Sequence, residues 1–186
     1  MKNRLRITGG ILKGRNVFIP EAISLRPVTE KIRQSFFERI KQDLNGQNFV
    51  DAFAGSGIMG FEALSRGADH AIFLEAKPEF CSAIHDTIHS LGYRKRATVI
   101  CGDILKTIDQ ALKSLSRAIC FFDPPYNEPV MPDIFKVLSN NEFRERISLM
   151  VIEHHHKRDP LANTSGWSVT RSLRYGETAL TFIIPS

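Results

Sequence analysis

Asn48-Phe49-Val50-Asp51-Ala52-Phe53-Ala54-Gly55-Ser56-Gly57-Ile58-Met59-Gly60 is the stretch whose reading decides the fold. The apolar run Asn48–Phe53 has the length and composition of a buried strand. Gly55, Gly57 and Gly60 then follow in G-x-G-x-x-G spacing, and a helical pattern over Gly57–Arg66 is closed by Gly67. Strand, glycine turn and helix in that order put a ligand loop at the carboxyl edge of an open α/β sheet. Glycines there let backbone approach a ligand closely and leave the first helical N–H groups exposed to it. The spacing alone fits a dinucleotide site, another adenosine-bearing ligand or a purely structural turn.

Working toward the C-terminus, strands keep alternating with helices. Ala71–Glu75, Thr98–Cys101, Ala118–Phe122 and Leu149–Glu153 read as strands. Pro78–Leu91, Ile104–Leu115 and Pro132–Leu138 read as helices. Ala118–Phe122 is apolar throughout, which suits a central parallel strand covered on both faces. The end differs: Ser168–Ser172 and Thr178–Ile184 flank Tyr175-Gly176 as a hairpin. Repeated βα units with a closing hairpin predict a doubly wound α/β sheet with one antiparallel strand.

Working toward the N-terminus, Val28, Ile32, Phe36, Phe37, Ile40 and Leu44 recur every three or four residues, predicting a helix that Thr29 can cap and Asn45-Gly46 ends. Before it, residues 4–20 read as a small hairpin with turns at Gly9-Gly10 and Lys13-Gly14. The hairpin has few apolar residues and is expected to project from the main body. Residues 1–24 and 25–186 are accordingly taken as two units.

Charge is unevenly distributed. The 186 residues carry a net charge of +5, yet residues 1–41 hold ten Lys/Arg against three acids, +7, and the remaining 145 hold fifteen against twenty less three, −2. Such a segment is either a solvated face or a platform for phosphates; on the second reading Arg4, Arg6, Lys13 and Arg15 are the nucleic-acid contacts. The aromatic content is mostly Phe, 13 against 3 Tyr and 1 Trp, which points to core filling. Cys81, Cys101 and Cys120 are widely spaced and odd in number, so they read as reduced thiols of a cytoplasmic protein. Neither a leader pattern nor an 18-residue apolar run is present, so no membrane partner is expected. No metal site is expected either, and His154-His155-His156 reads as a solvated strand end.

Three acids fall where chemistry is done in such sheets. Glu75 ends the second strand of the alternating region and can accept from both hydroxyls of a ribose. In Gly102-Asp103-Ile104, Asp103 can accept from an adenine amine while Ile104 packs on the ring, and Asp103 can equally cap the next helix. Asp123-Pro124-Pro125-Tyr126 is the most specific of the three. Two prolines fix φ twice and remove two N–H donors, which leaves a stiff turn of acceptors with an aromatic ring beyond it. That is a receptor for an NH₂ group on a flat base. Acceptors gripping the amine hydrogens localise its lone pair toward an electrophile, and Tyr126 can stack on the base.

These motifs together resemble the RsmD family of 16S ribosomal RNA guanine-N2 methyltransferases. The resemblance is carried by Arg6-Ile7-Thr8-Gly9-Gly10, Gly14-Arg15, Leu25–Arg33, Asp51–Gly57, Glu62-Ala63-Leu64-Ser65-Arg66-Gly67-Ala68, Asp123–Tyr126 and Tyr175-Gly176-Glu177-Thr178. It implies a Rossmann-like class I methyltransferase fold, a seven-stranded mostly parallel sheet with an antiparallel last strand, preceded by an RNA-binding hairpin. It implies S-adenosyl-L-methionine as cofactor, held at Asp51, Phe53, Ala54, Gly55, Ser56 and Gly57, at Glu75 and Ala76, at Asp103 and Ile104, and under a closing segment with Arg26 and Thr29. Asp123, Pro124, Pro125 and Tyr126 are the implied catalytic residues. The implied substrate is guanine 966 of 16S rRNA in an assembling 30S subunit, met by a monomer. A DNA amino-methyltransferase, a nicotinamide-dependent oxidoreductase and a non-catalytic RNA-binding assembly factor are the competing readings.

Overall fold

The computed structural model describes residues 4–20, 28–125, 130–160 and 165–186. In chain order the elements are β1 (Arg4–Arg6), β2 (Asn16–Phe18), α1 (Glu30–Arg39), α2 (Lys41–Leu44), β3 (Asn48–Ala52), α3 (Ile58–Ser65), β4 (His70–Glu75) and α4 (Pro78–Leu91). They continue as β5 (Ala97–Cys101), α5 (Ile104–Lys113), β6 (Ala118–Phe122), α6 (Met131–Leu138), α7 (Asn141–Glu145), β7 (Ile147–His155), β8 (Trp167–Tyr175) and β9 (Thr178–Pro185). Strands β3 to β9 form one sheet in the order β5-β4-β3-β6-β7-β9-β8. Pairing is parallel from β5 through β7, and β9 runs antiparallel to both β7 and β8. The expected seven strands with the last one reversed are thus present. The order reverses between β3 and β6, and that switch point is where ligands enter such sheets.

Strand alternation sorts the core into two layers. Phe49, Phe73, Phe121 and Val151 face α1, α3 and α4; Val50, Ile72, Cys120 and Ile152 face α5, α6 and α7. The phenylalanines fill the core as expected. Phe36 makes edge contacts with Phe37, Phe49 and Phe121 at centroid distances of 4.7, 6.4 and 5.3 Å. The single helix expected over 28–44 is two, because the chain turns at Ile40, whose φ of −97° and ψ of 9° end α1 and begin α2. Thr29 caps α1, its hydroxyl accepting from the Ile32 amide at 3.4 Å. Helix α7 was not anticipated; its five residues are too few for apolar periodicity to show. Among the described residues no helix is long and apolar enough to cross a membrane.

The N-terminal piece does not project. Ile7 and Val17 are buried in the α1–α3–α4 layer, and the rest of the attachment is polar, which composition could not reveal. Glu62 on α3, with no exposed surface, accepts from the Thr8 amide and hydroxyl, both at 2.7 Å. Arg66 donates to Glu62 at 3.2 Å and to the Thr8 hydroxyl at 3.0 Å. Buried Arg33 lies 3.5 Å from the same carboxylate and donates to the carbonyls of Val28 and Arg6. One turn along α3, Ser65 accepts from the amides of Leu12 (hydroxyl) and Ile11 (carbonyl), each at 2.8 Å. A Cβ on Gly10, at φ +74°, would collide with the Ser65 backbone, so this close approach demands glycine. Arg33 therefore spends its charge inside the protein, while Arg4, Arg6, Lys13 and Arg15 stay exposed.

Glu62→Ala leaves Arg33 buried without its counter-charge and should cost about 3 kcal/mol or more in urea unfolding. Amide exchange should rise over residues 4–18 before it rises in the sheet; equal protection of both would contradict this account of the attachment.

Candidate active site at the sheet switch point

The loop after β3 is unusual backbone. Phe53 has φ +62°, the one non-glycine residue with positive φ among those described, and Gly55 and Gly57 follow at +53° and +74°. A bulky residue held left-handed is strained, and such strain gathers at binding loops. Two acids hold the loop from below. Asp51, buried on β3, accepts from the Gly60 amide at 2.9 Å in the first turn of α3. Glu75, at the end of β4, accepts from the Gly55 amide at 2.7 Å with one oxygen and from the Lys77 amide at 2.9 Å with the other. Gly60 is demanded by packing, since a Cβ there would run into the Phe73 ring.

The loop overhangs a cleft of about 440 Å³, within the range of small-ligand sites. Phe53, Gly55, Glu75, Ala76, Asp103 and Ile104 all line it, so six of the sequence-predicted positions meet in one place. Asp123 and Pro125, two further predicted positions, line it as well. A second, smaller hollow is lined by Asp51, Ala54 and Ser56, and it shares Phe53, Gly55 and Asp123 with the first. Gly57 lines neither; it is the left-handed residue that starts α3. Asp103 caps α5, accepting from the Leu105 amide at 2.8 Å, and it also lines the cleft. Thr29 spends its hydroxyl on the α1 cap. Arg26 and Tyr126 lie outside the described residues. Arg4, Arg6, Lys13 and Arg15 are on the N-terminal hairpin, not in the cleft.

Sequence reading did not pick out Phe80, Lys77 and Val28. Phe80 lines the cleft because Pro78 starts α4 immediately past Glu75, which drops Phe80 into the helix's first turn. Its spacing with Ile84 and Ile88 marks it only as a core residue. Val28 lines the smaller hollow from the segment before α1, a contact between residues distant in sequence.

The electrostatics are dominated by desolvated acids. Burial pushes the Asp123 carboxyl up to about 7. Asp51 is raised well above the usual carboxylate range, first by burial and then by the neighbouring charges of Asp123 and Glu75, against the stabilising Gly60 amide. A cleft edged by acids that resist ionising alone favours a ligand carrying positive charge. Glu75 uses one lone pair per oxygen on the backbone, which leaves others for hydroxyl donors. The donor set thus fits a cationic ligand bearing a diol and a flat ring.

The chain is similar to known proteins over nearly its whole length. The family model described as "Conserved hypothetical protein 95" matches residues 5–184. The Bacillus subtilis (strain 168) protein "Putative rRNA methyltransferase YlbH" is 30% identical over 178 residues, covering 95% of this chain and 96% of that one. "Ribosomal RNA small subunit methyltransferase D" of Escherichia coli (strain K12) is 27% identical over 176 residues, covering 95% and 87%. Among solved structures, "Putative methyltransferase yhhF from Escherichia coli" superposes with a TM-score of 0.80 at 24% identity, covering 99% of each chain.

A carbon-13 carboxyl titration should find Asp123 near 7 in the ligand-free protein, far above an ordinary aspartate. The sign for stability follows: a raised folded value means the contribution is full below about 4 and is lost as pH rises through 7. A midpoint near 4 would remove the desolvated-acid description.

Proposed function

The chain belongs to the conserved hypothetical protein 95 family, the RsmD family of rRNA methyltransferases, and from that premise we propose that it methylates the exocyclic N2 of a guanine in 16S rRNA, at position 966, during small-subunit assembly. S-adenosyl-L-methionine is the cofactor. When bound it supplies an electrophilic methyl group on a positively charged sulfur. The observation that supports the reading best is the convergence of the glycine loop, Glu75, Asp103 and Asp123 on one cleft at the switch point.

The residues divide the work as follows. Glu75 takes the ribose hydroxyls while its backbone bonds keep Gly55 in place. Asp103, Ile104 and Ala76 receive the adenine end, and Phe53–Gly57 with Asp51 below them receive the methionine end, closed by Arg26 and Thr29. Asp123 and the Pro124 carbonyl hold the guanine amine by its hydrogens, Pro125 keeps the turn rigid, and Tyr126 stacks on the base. Positioning and charge complementarity do most of this, because the cationic sulfur makes the methyl group a good electrophile without a strong base. The base has to leave its stack, at a cost of about a few kcal/mol. Arg4, Arg6, Lys13 and Arg15, exposed on the N-terminal hairpin, bind rRNA phosphates. The protein acts as a monomer in the cytoplasm on an assembling 30S particle.

Asp123→Ala should abolish methyl transfer to 30S particles while S-adenosylhomocysteine still binds in calorimetry. Near-normal methylation by this variant sinks the role given to Asp123. Methylation that maps to another base or to an adenine moves the substrate without moving the chemistry. Because the amine is gripped by an ionised carboxylate, turnover in the parent protein should rise with pH and level off above about 7. Replacing Arg4, Arg6, Lys13 and Arg15 together by Gln should lower the salt slope of rRNA binding by about 3. An unchanged slope returns those cations to the role of a solvated face.

A further inference from the structure

His155 and His156 are consecutive, and in continuous strand their side chains would point to opposite faces. Strand β7 ends at His155, however, and the turn that begins at His156 swings its ring alongside, with centroids 4.7 Å apart and planes at 31°. Glu177, in the turn between β8 and β9, faces both. Its Oε2 lies 2.9 Å from His155 Nε2 and 4.0 Å from His156 Nδ1. One donor atom from each of the three residues falls within 4.8 Å of the others.

The backbone beneath is fixed, so the cluster is not three independent surface side chains. The His156 amide donates to the Glu177 carbonyl at 2.9 Å, and β7 pairs with β9 through His155 and Thr178. His156 Nδ1, the nitrogen that faces the Glu177 carboxylate at 4.0 Å, lies 3.2 Å from that same carbonyl, a contact that holds the ring there and that a metal on this nitrogen would replace. Nothing in the methyl-transfer machinery uses these residues. The sequence gives no warning of the site because its parts lie 21 and 22 residues apart and meet only across the β7–β9 pairing.

We propose that His155, His156 and Glu177 form a site for a divalent transition-metal ion of the zinc class, bound by two imidazoles and one carboxylate. Imidazole and carboxylate donors at about 2.0–2.2 Å suit Zn²⁺ and leave a fourth position open to water. Mg²⁺ prefers an all-oxygen shell and is excluded by the same donor set. The three donors must close from their present spacing, a movement that falls mainly to Glu177, the exposed one of the three, since both imidazoles are partly buried. Metal takes the place of the Nε2 proton that His155 now directs at Glu177, and the ring binds as its other tautomer, with the proton on Nδ1 and the Lys157 amide released from that nitrogen. The ion would then staple the β8–β9 turn to the end of β7.

Calorimetric titration of ZnCl₂ into the full chain, purified without a histidine tag, tests this. One equivalent should bind, MgCl₂ should not, and Glu177→Gln and His155→Ala should each weaken binding about tenfold or more. Zinc should also raise the melting temperature of the parent protein and not of the variants, whose own melting without metal reports that they fold. No zinc uptake, uptake equal in parent and variants, or uptake that disappears with Cys101→Ser instead would overturn the site.

Discussion

A single carboxylate with no contact to solvent organises this molecule. Glu62 faces the guanidinium of Arg33 from α1, that of Arg66 at the end of its own helix, and the amide and hydroxyl of Thr8 from the N-terminal hairpin. An isolated charge at that depth would be prohibitively costly, so its partners are obligatory and arrive together. Through Arg33 the carboxylate fixes α1 and the carbonyls of Val28 and Arg6; through Thr8 it fixes the hairpin. Two segments that resemble the family strongly, Arg6–Gly10 and Glu62–Ala68, are therefore two sides of one contact. Their residue types are set by mutual fit, down to the glycine that lets Gly10 lie against Ser65.

The site obeys a related rule with the opposite outcome. Asp51, Glu75 and Asp123 come from three strand ends that the switch in strand order gathers together. Two of them are spent partly on backbone amides, which gives the glycine loop its shape. Asp123 is left at the rim with its charge poorly solvated. Where Glu62 is neutralised from within the protein, this group of acids is completed by what binds to it.

The α/β layout was legible because each βα unit announces itself locally: apolar runs of strand length, helical spacing, and glycine or proline at the joints. The cleft was legible for the same reason, since Glu75 ends a strand and Asp123 and Asp103 stand one and two residues past one. What could not be read were contacts between distant segments. Ile7 and Val17 are too few to suggest a docked hairpin, and its docking rests on hydrogen bonds to Glu62 and Ser65 that no periodicity encodes. The break at Ile40 escaped for another reason: the apolar stripe continues through it, so spacing alone sees one helix. Phe80 and Val28 were hidden because a residue lining a cleft and one filling a core have the same apolar character.

Helix α3 is only eight residues long, about 12 Å from end to end. Its first turn is tied to the glycine loop through Gly60 and Asp51, and its last turn carries the hairpin. A rod so short and so fully buried has no soft joint along its length. Its two ends therefore cannot be altered separately: a substitution that tilts α3 to suit the hairpin also moves the amide that Asp51 holds, so both ends constrain the sequence of the same two turns.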